Sequence, residues 1–233
     1  MNVLAIDTSG PVCGVAICRD GTVAFEESVV NKQTHSVNLM SMVDAALSRT
    51  GMELRAMDRL AVVVGPGSFT GVRIGVSTVK GLSHGCGVPC VAIDALEAMA
   101  AGIPLFDGVV CPIQDARAGQ VYGAAFIHGQ RMLPDEPLKL EDYVEKLRPL
   151  GSRFCFLGDG MPVHRSRLTE LLGDQAVFAP ANAAFLRPAS VALLASDPHR
   201  EELDYLTLMP LYLRAPQAER NRALEEAMRH VNS

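Results

Sequence analysis

The stretch VVVGPGSFTGVRIGVSTVKG, residues 62–81, constrains the fold more than any other part of the chain. An apolar run leads into Gly65-Pro66-Gly67-Ser68, and Gly71 and Gly75 come next. Glycines behind a buried strand invite a phosphate-cradling reading, which spacing can test. A P-loop requires G-x-x-x-x-G-K-[ST], and neither Gly65 nor Gly67 is followed by Gly-Lys at that distance. The dinucleotide fingerprint G-x-G-x-x-G fails at its third glycine, where Thr70 stands. Both templates fail, and a tight turn remains, with Ser68 placed to cap a helix.

The segment after the turn reads two ways. Val72, Ile74, Val76 and Thr78 alternate with Arg73, Gly75 and Ser77, which is a strand pattern. At helical spacing the same residues put Gly71, Gly75, Thr78 and Leu82 on one stripe and Val72, Val76 and Val79 on the next. Propensity alone favours the strand. Each glycine costs a helix about 1 kcal/mol against alanine, so a helix here requires a compensating contact, such as a second helix seated in the groove.

Around this stretch the pattern is α/β with a mixed sheet. VLAIDTS, CGVAICRDG and TVAFEESVV read as strands joined by a Gly-Pro turn and an Asp20-Gly21 hairpin. Thr34 is placed to cap a helix through HSVNLMSMVDAALSRTG, with Gly51 beyond its end. That helix carries two apolar stripes, Met40/Val43/Leu47 and Leu39/Met42/Ala46, where a surface helix needs one. The second stripe is extra core or a seat for a partner. LAVVVG and PCVAID are further strands, and ALEAMAAG is helix-like. Beyond Gly102 to Gly108, VVCPIQDARAGQVYGAAFIHG repeats the opening theme of strand, Asp, small-residue turn and returning strand, with Asp115 answering Asp7. Two related lobes are expected, residues 1–105 and a smaller 106–233. The second holds helices near LEDYVEKLR and HRSRLTELLG, a strand RFCFLGDG, the apolar NAAFLRPASVALLAS and a last strand in LMPLYLRAP. A charged terminal helix, free to pack back on the first lobe, ends it.

Composition excludes several functions. The formal charge of −5 and the absence of any dense Lys/Arg block disfavour autonomous tRNA or DNA binding. With no Trp and 5% aromatics, stacking platforms for single strands are not expected. Six cysteines sit mostly in apolar surroundings without a C-x-x-C pair, as buried reduced thiols do. MNVLAIDTSG is not a secretory leader and no run approaches bilayer length, so a cytoplasmic protein is expected.

AIDTS, GPGSFTGVRIG, IQDARAGQVY and LYLRAP together resemble the TsaB (YeaZ) family. The likeness is close over the first hundred or so residues and patchy afterwards; GPGSFTGVRIG is its most specific part. It implies an actin-like fold of two ribonuclease H-like lobes, the second reduced, with a helix after GPGS. It also implies a non-catalytic scaffold that binds TsaD, the enzyme placing threonylcarbamoyl on the adenosine beside the anticodon of tRNA. The expected interface is His35, Leu39, Met42, Ala46, Gly71, Gly75, Thr78 and Leu82. The partners implied are a TsaD-like paralogue, a TsaE-like ATPase in a larger complex, a second copy when the chain is alone, and tRNA only through the complex.

No catalytic residue is expected. The H-x-x-x-H metal motif of TsaD-like enzymes would fall on Ala95 and Met99, which offer no hard ligand, and no two of the six histidines lie four apart. A glycoprotease-type peptidase lacks its metal, and GPGSF is not a G-x-S-x-G elbow, so Ser68 reads as a cap. An independent ATPase or sugar-kinase-like enzyme is the alternative reading. It would use Asp7, Thr8, Ser9 and Asp115 around weakly bound ATP or ADP with Mg²⁺. Closure of strand-end turns by the same Asp, Ser and Thr residues is preferred.

Overall fold

A computed structural model describes residues 1–117 and 119–213. The expected terminal helix lies outside them. The first half runs β1 (Asn2–Asp7), β2 (Cys13–Arg19), β3 (Thr22–Val29), α1 (His35–Thr50), β4 (Arg59–Gly65), α2 (Phe69–Cys86), β5 (Cys90–Asp94) and α3 (Ala95–Ala101). The second repeats that order in β6 (Val109–Asp115), β7 (Gln120–Ile127), β8 (Gln130–Lys139), α4 (Leu140–Leu147), β9 (Phe154–Leu157), α5 (Gly160–Leu172), β10 (Ala176–Phe178) and α6 (Pro188–Ala195). The two sheets share one topology, β3-β2-β1-β4-β5 and β8-β7-β6-β9-β10. In each, two antiparallel hairpin pairings precede two parallel additions. This is the actin-like arrangement of two ribonuclease H-like lobes. The second sheet has its full five strands; its reduction lies in β9 and β10, of four and three residues.

Strand alternation divides the core into three layers. Leu4 and Ile6 of β1 face α1 and α2, while Val3 and Ala5 face the other way, into a shared core between the sheets. That shared core holds α3 and α6 and is rich in alanine, including Ala16, Ala61, Ala98, Ala124 and Ala192. Small side chains let two sheets and two helices approach closely. A third cluster packs α4 and α5 on the outer face of the second sheet around Tyr143, Phe154 and Phe156.

Two expectations need correction. The apolar NAAFLRPASVALLAS does not serve the second lobe: α6 packs over β1 and β2 of the first. The described part of LMPLYLRAP, residues 208–213, forms no strand. Residues 203–213 instead run as a strap along α2. Leu203 exchanges backbone hydrogen bonds with Cys90 at 2.9 and 2.8 Å, Lys80 Nζ donates to Leu208 O at 3.0 Å, and Leu211 N–H donates to Val64 O at 2.7 Å. The guanidinium of Arg59, buried on β4, ties this return to the first sheet. It donates to the carbonyls of Ala195 and Asp197 at 2.9 and 2.6 Å and pairs with Glu202 at 2.8 Å.

Candidate functional site

The glycines of the β4–α2 turn serve this chain's own packing. α2 is a helix, and Ser68 Oγ accepts from Gly71 N–H at 3.2 Å, the expected cap. Propensity loses to tertiary context because the end of β1 lies against the helix start. A β-carbon on Gly67 would fall on the Ser9 carbonyl oxygen, one on Gly71 on the Thr8 carbonyl oxygen, and one on Gly65 on that of Leu211. On Gly75 it would come within 2.5 Å of Thr8 Oγ1 and 3.2 Å of Val62 Cγ2. Thr8 Oγ1 donates in turn to Gly71 O at 2.7 Å. The groove left at 71 and 75 is therefore filled by Thr8, just beyond β1, and by Val62 of β4, so these two residues are not partner contacts.

Three residues of α1 are withdrawn for a related reason. Leu39, Met42 and Ala46 are buried against the first sheet together with Val43, because this stripe faces β2. His35 is half-buried, its Nε2 2.9 Å from Gly10 O, so it anchors the helix start to the β1–β2 turn. Thr34 precedes the helix as expected, without a side-chain cap bond. Thr78 and Leu82 are half-buried at the flank of α2.

The outward surface of these helices is formed by other residues. Val37 and Met40 of α1 are 65% and 50% exposed. On α2, Thr70, Arg73, Ser77, Gly81, His84 and Gly85 face out. Gly81 and Gly85 have nothing within 4 Å of where a β-carbon would stand. With Leu82, Cys86 and the turn Glu53-Leu54-Arg55 they line a shallow groove of about 380 Å³. The same four-residue spacing that singles out Gly71 and Gly75 also holds for this pair, so a signal was present in the sequence. Arg73 is placed by stacking: its guanidinium lies 3.8 Å from the Phe69 ring centroid, and its Nε donates to Tyr212 Oη at 2.7 Å.

The second candidate region is the cleft between the lobes, a cavity of about 570 Å³. Ser9, Gly67, Ser68 and Thr70 line one side, Gln114, Asp115, Arg117 and Asp159 the other, and Tyr212 of the strap closes the rim. Of the four residues expected to meet a nucleotide, Ser9 and Asp115 reach this cavity. Asp7 is 1% exposed, and its Oδ1 accepts from Ser9 N–H at 2.8 Å and Ser9 Oγ at 2.7 Å. Burial pushes its carboxyl up to about 6, with the Ser9 bonds pulling back. Thr8 is turned into α2. Asp115 Oδ1 accepts from Arg117 N–H at 3.0 Å, closing the equivalent turn of the second lobe. Burial also raises Asp159, to about 6. Asp7 does not reach the main cavity and instead lines a small recess with Ser9, Gly10 and Asp159. Ala95 and Met99, where the resemblance would place the metal motif, are buried in the shared core. Among the described residues no three His, Cys, Asp or Glu side chains form a group able to hold a metal ion, and no helix is long and apolar enough to cross a membrane.

Comparison with known proteins converges on one family. A family model described as TsaD, tRNA N6-adenosine threonylcarbamoyltransferase, matches residues 28–222. A Bacillus subtilis (strain 168) protein named tRNA threonylcarbamoyladenosine biosynthesis protein TsaB is 35% identical over 94% of this chain and 96% of its own. The Escherichia coli (strain K12) protein of the same name is 34% identical over 69% of this chain and 72% of its own. The solved structure of YeaZ from Pseudomonas aeruginosa superposes with a TM-score of 0.72 at 25% identity, covering 91% of this chain and 99% of that one. With GPGSFTGVRIG on the β4–α2 turn and the duplicated lobes in place, the chain belongs to the TsaB (YeaZ) family.

Proposed function

We propose that this chain is the scaffold subunit of a tRNA-modifying complex. It docks a TsaD-like paralogue through the outward faces of α1 and α2, and so enables threonylcarbamoyl transfer to the adenosine next to the anticodon. The observation that carries this reading is the notch at Gly81 and Gly85. Gly81, exposed inside the helix, costs it about 1 kcal/mol against alanine, Gly85 stands exposed in the last turn, and nothing among the described residues packs on either. A helix from outside would gain from the missing side chains, because its axis could approach to about 8 Å. Val37 and Met40 supply apolar area on the neighbouring helix. The chain's own charge of −5 favours reaching tRNA through the partner. A second copy would occupy the same face when the paralogue is missing, and a TsaE-like ATPase would join the assembled pair.

This role requires no catalytic residue and no cofactor in the chain. The interlobe cleft keeps the alternative of an ATPase or sugar-kinase-like enzyme in view, but with Asp7 and Thr8 engaged internally, ATP or ADP would bind weakly and without turnover. Size-exclusion chromatography with the paralogue tests the proposal. The native chain should co-elute with it and Gly81→Leu should not. Co-elution of both, or of neither, would overturn the reading.

A further inference from the structure

The two lobes are joined by a cluster whose charges do not balance when every acid is ionised. Asp94, the last residue of β5, caps α3: its Oδ1 accepts from Glu97 N–H at 2.7 Å. The same oxygen accepts from Arg131 Nη2 at 2.9 Å, and Arg131 Nη1 bonds Asp135 Oδ1 further along β8. One guanidinium is thus forked between a carboxylate of the first lobe and one of the second, with its central carbon 4.7 Å from the Phe126 ring centroid. The Asp94 and Asp135 side chains are only 16% and 11% exposed. The other nearby charges are already paired, Glu97 with Arg200 and Glu136 with Lys146. Tyr143 of α4, which also packs near Asp135, donates its hydroxyl to Ala124 O. Arg131 therefore faces two carboxylates with one positive charge. Asp94 Oδ2, moreover, is buried with no donor among the described residues.

A single proton resolves both defects. An acid at Asp135 would donate to the orphaned oxygen of Asp94 and leave one carboxylate for one guanidinium. Unpaired buried acceptors and unbalanced buried charges are each costly, so the protonated pair is the favoured form. We propose that Asp135 holds a proton that it donates to Asp94, so that the two form a pH-sensitive latch between the lobes, tight while Asp135 is protonated and weakened when it ionises. Burial raises Asp135 first, with the hydrogen bond and negative charge of Asp94 adding to it, up to about 8 against 3.8 in the unfolded chain; Arg131 pulls the other way and only partly offsets this.

Linkage sets the direction of the pH effect. Between about pH 4 and 8 the folded chain holds a proton that the unfolded chain has lost. The latch's contribution is therefore complete below 3.8 and is lost as pH rises through about 8, the unfolding constant increasing up to tenfold per pH unit from this proton alone. Asp135→Asn presents a permanent amide donor to Asp94 and should remove this part of the pH dependence.

Carbon-13 NMR of the aspartate carboxyls in the full chain tests the latch between pH 5 and 9.5. One carboxyl should titrate with a midpoint near 8. Its signal should be missing from Asp135→Asn and move to a lower midpoint in Asp94→Asn, so either variant suffices if the other fails to fold. The amide of Glu97, measured relative to its intrinsic exchange rate, should lose protection as pH rises toward that midpoint in the native chain and level off above it, and should show no such fall in Asp135→Asn. The proposal is overturned if every aspartate titrates below pH 7, or if a midpoint near 8 is unaffected by both substitutions.

Discussion

Gly75→Ala separates an internal role for the α2 glycines from a role in docking. The added β-carbon would stand 2.5 Å from Thr8 Oγ1 and 3.2 Å from Val62 Cγ2, against the 3.4 Å at which ordinary contact begins. Thr8 cannot withdraw freely, because its hydroxyl donates to Gly71 O at 2.7 Å in a buried setting. Overpacking of this kind costs about 3 kcal/mol when backbone must follow. Loss of the Thr8 hydrogen bond adds about 1 kcal/mol, and alanine's better helix propensity returns about 1 kcal/mol. The net is a loss of about 3 kcal/mol, which for a chain of this size lowers Tm by about 6–12 °C. Gly81→Ala is the internal control. With nothing within 4 Å of its β-carbon it gains propensity alone and should raise Tm by about 2–4 °C. Differential scanning calorimetry of the isolated chain measures both. A Gly75→Ala protein melting within about 2 °C of native, or a Gly81→Ala protein melting clearly below it, would refute the reasoning.

Two further substitutions probe the buried charges. Asp7, raised by burial to about 6 from 3.8, binds its proton more tightly when folded, so its contribution is complete below 3.8 and is lost as pH rises through about 6. Asp7→Asn should therefore gain on the native chain between pH 4 and 7 by up to about 3 kcal/mol in chemical denaturation, and a pH-independent difference would contradict this. Arg59→Ala would leave two carbonyls and Glu202 without their donor and should cost about 3–5 kcal/mol, read as a fall in urea midpoint; a cost under about 1 kcal/mol would show the clasp to be idle.

Much of the architecture is legible from the residues alone. The alternation in VLAIDTS and VVCPIQD, each ending in Asp at a turn, already shows two lobes of one design, and Ser68 marks the start of α2. Sequence cannot fix which way a helix faces when its spacing is ambiguous. Gly71/Gly75 and Gly81/Gly85 are both four apart, and only the position of Thr8, more than sixty residues earlier, turns the first pair inward. Likewise α1 shows two apolar stripes. The one centred on Leu39 and Met42 is chosen by the lie of β2, which leaves Met40 outside. The return of α6 and the strap to the first lobe has no local signature either. It depends on contacts such as Arg59 with Glu202, 143 residues apart. The chain's distribution of small residues was readable; their partners were not.

The most direct test of the docking claim is calorimetric titration of the TsaD-like paralogue into the native chain and into Gly81→Leu. The native chain should form a one-to-one complex, and the variant, its Tm at or above native, should bind at least a hundredfold more weakly. Equal affinity for the two proteins, or no heat of association with the native chain, would contradict it.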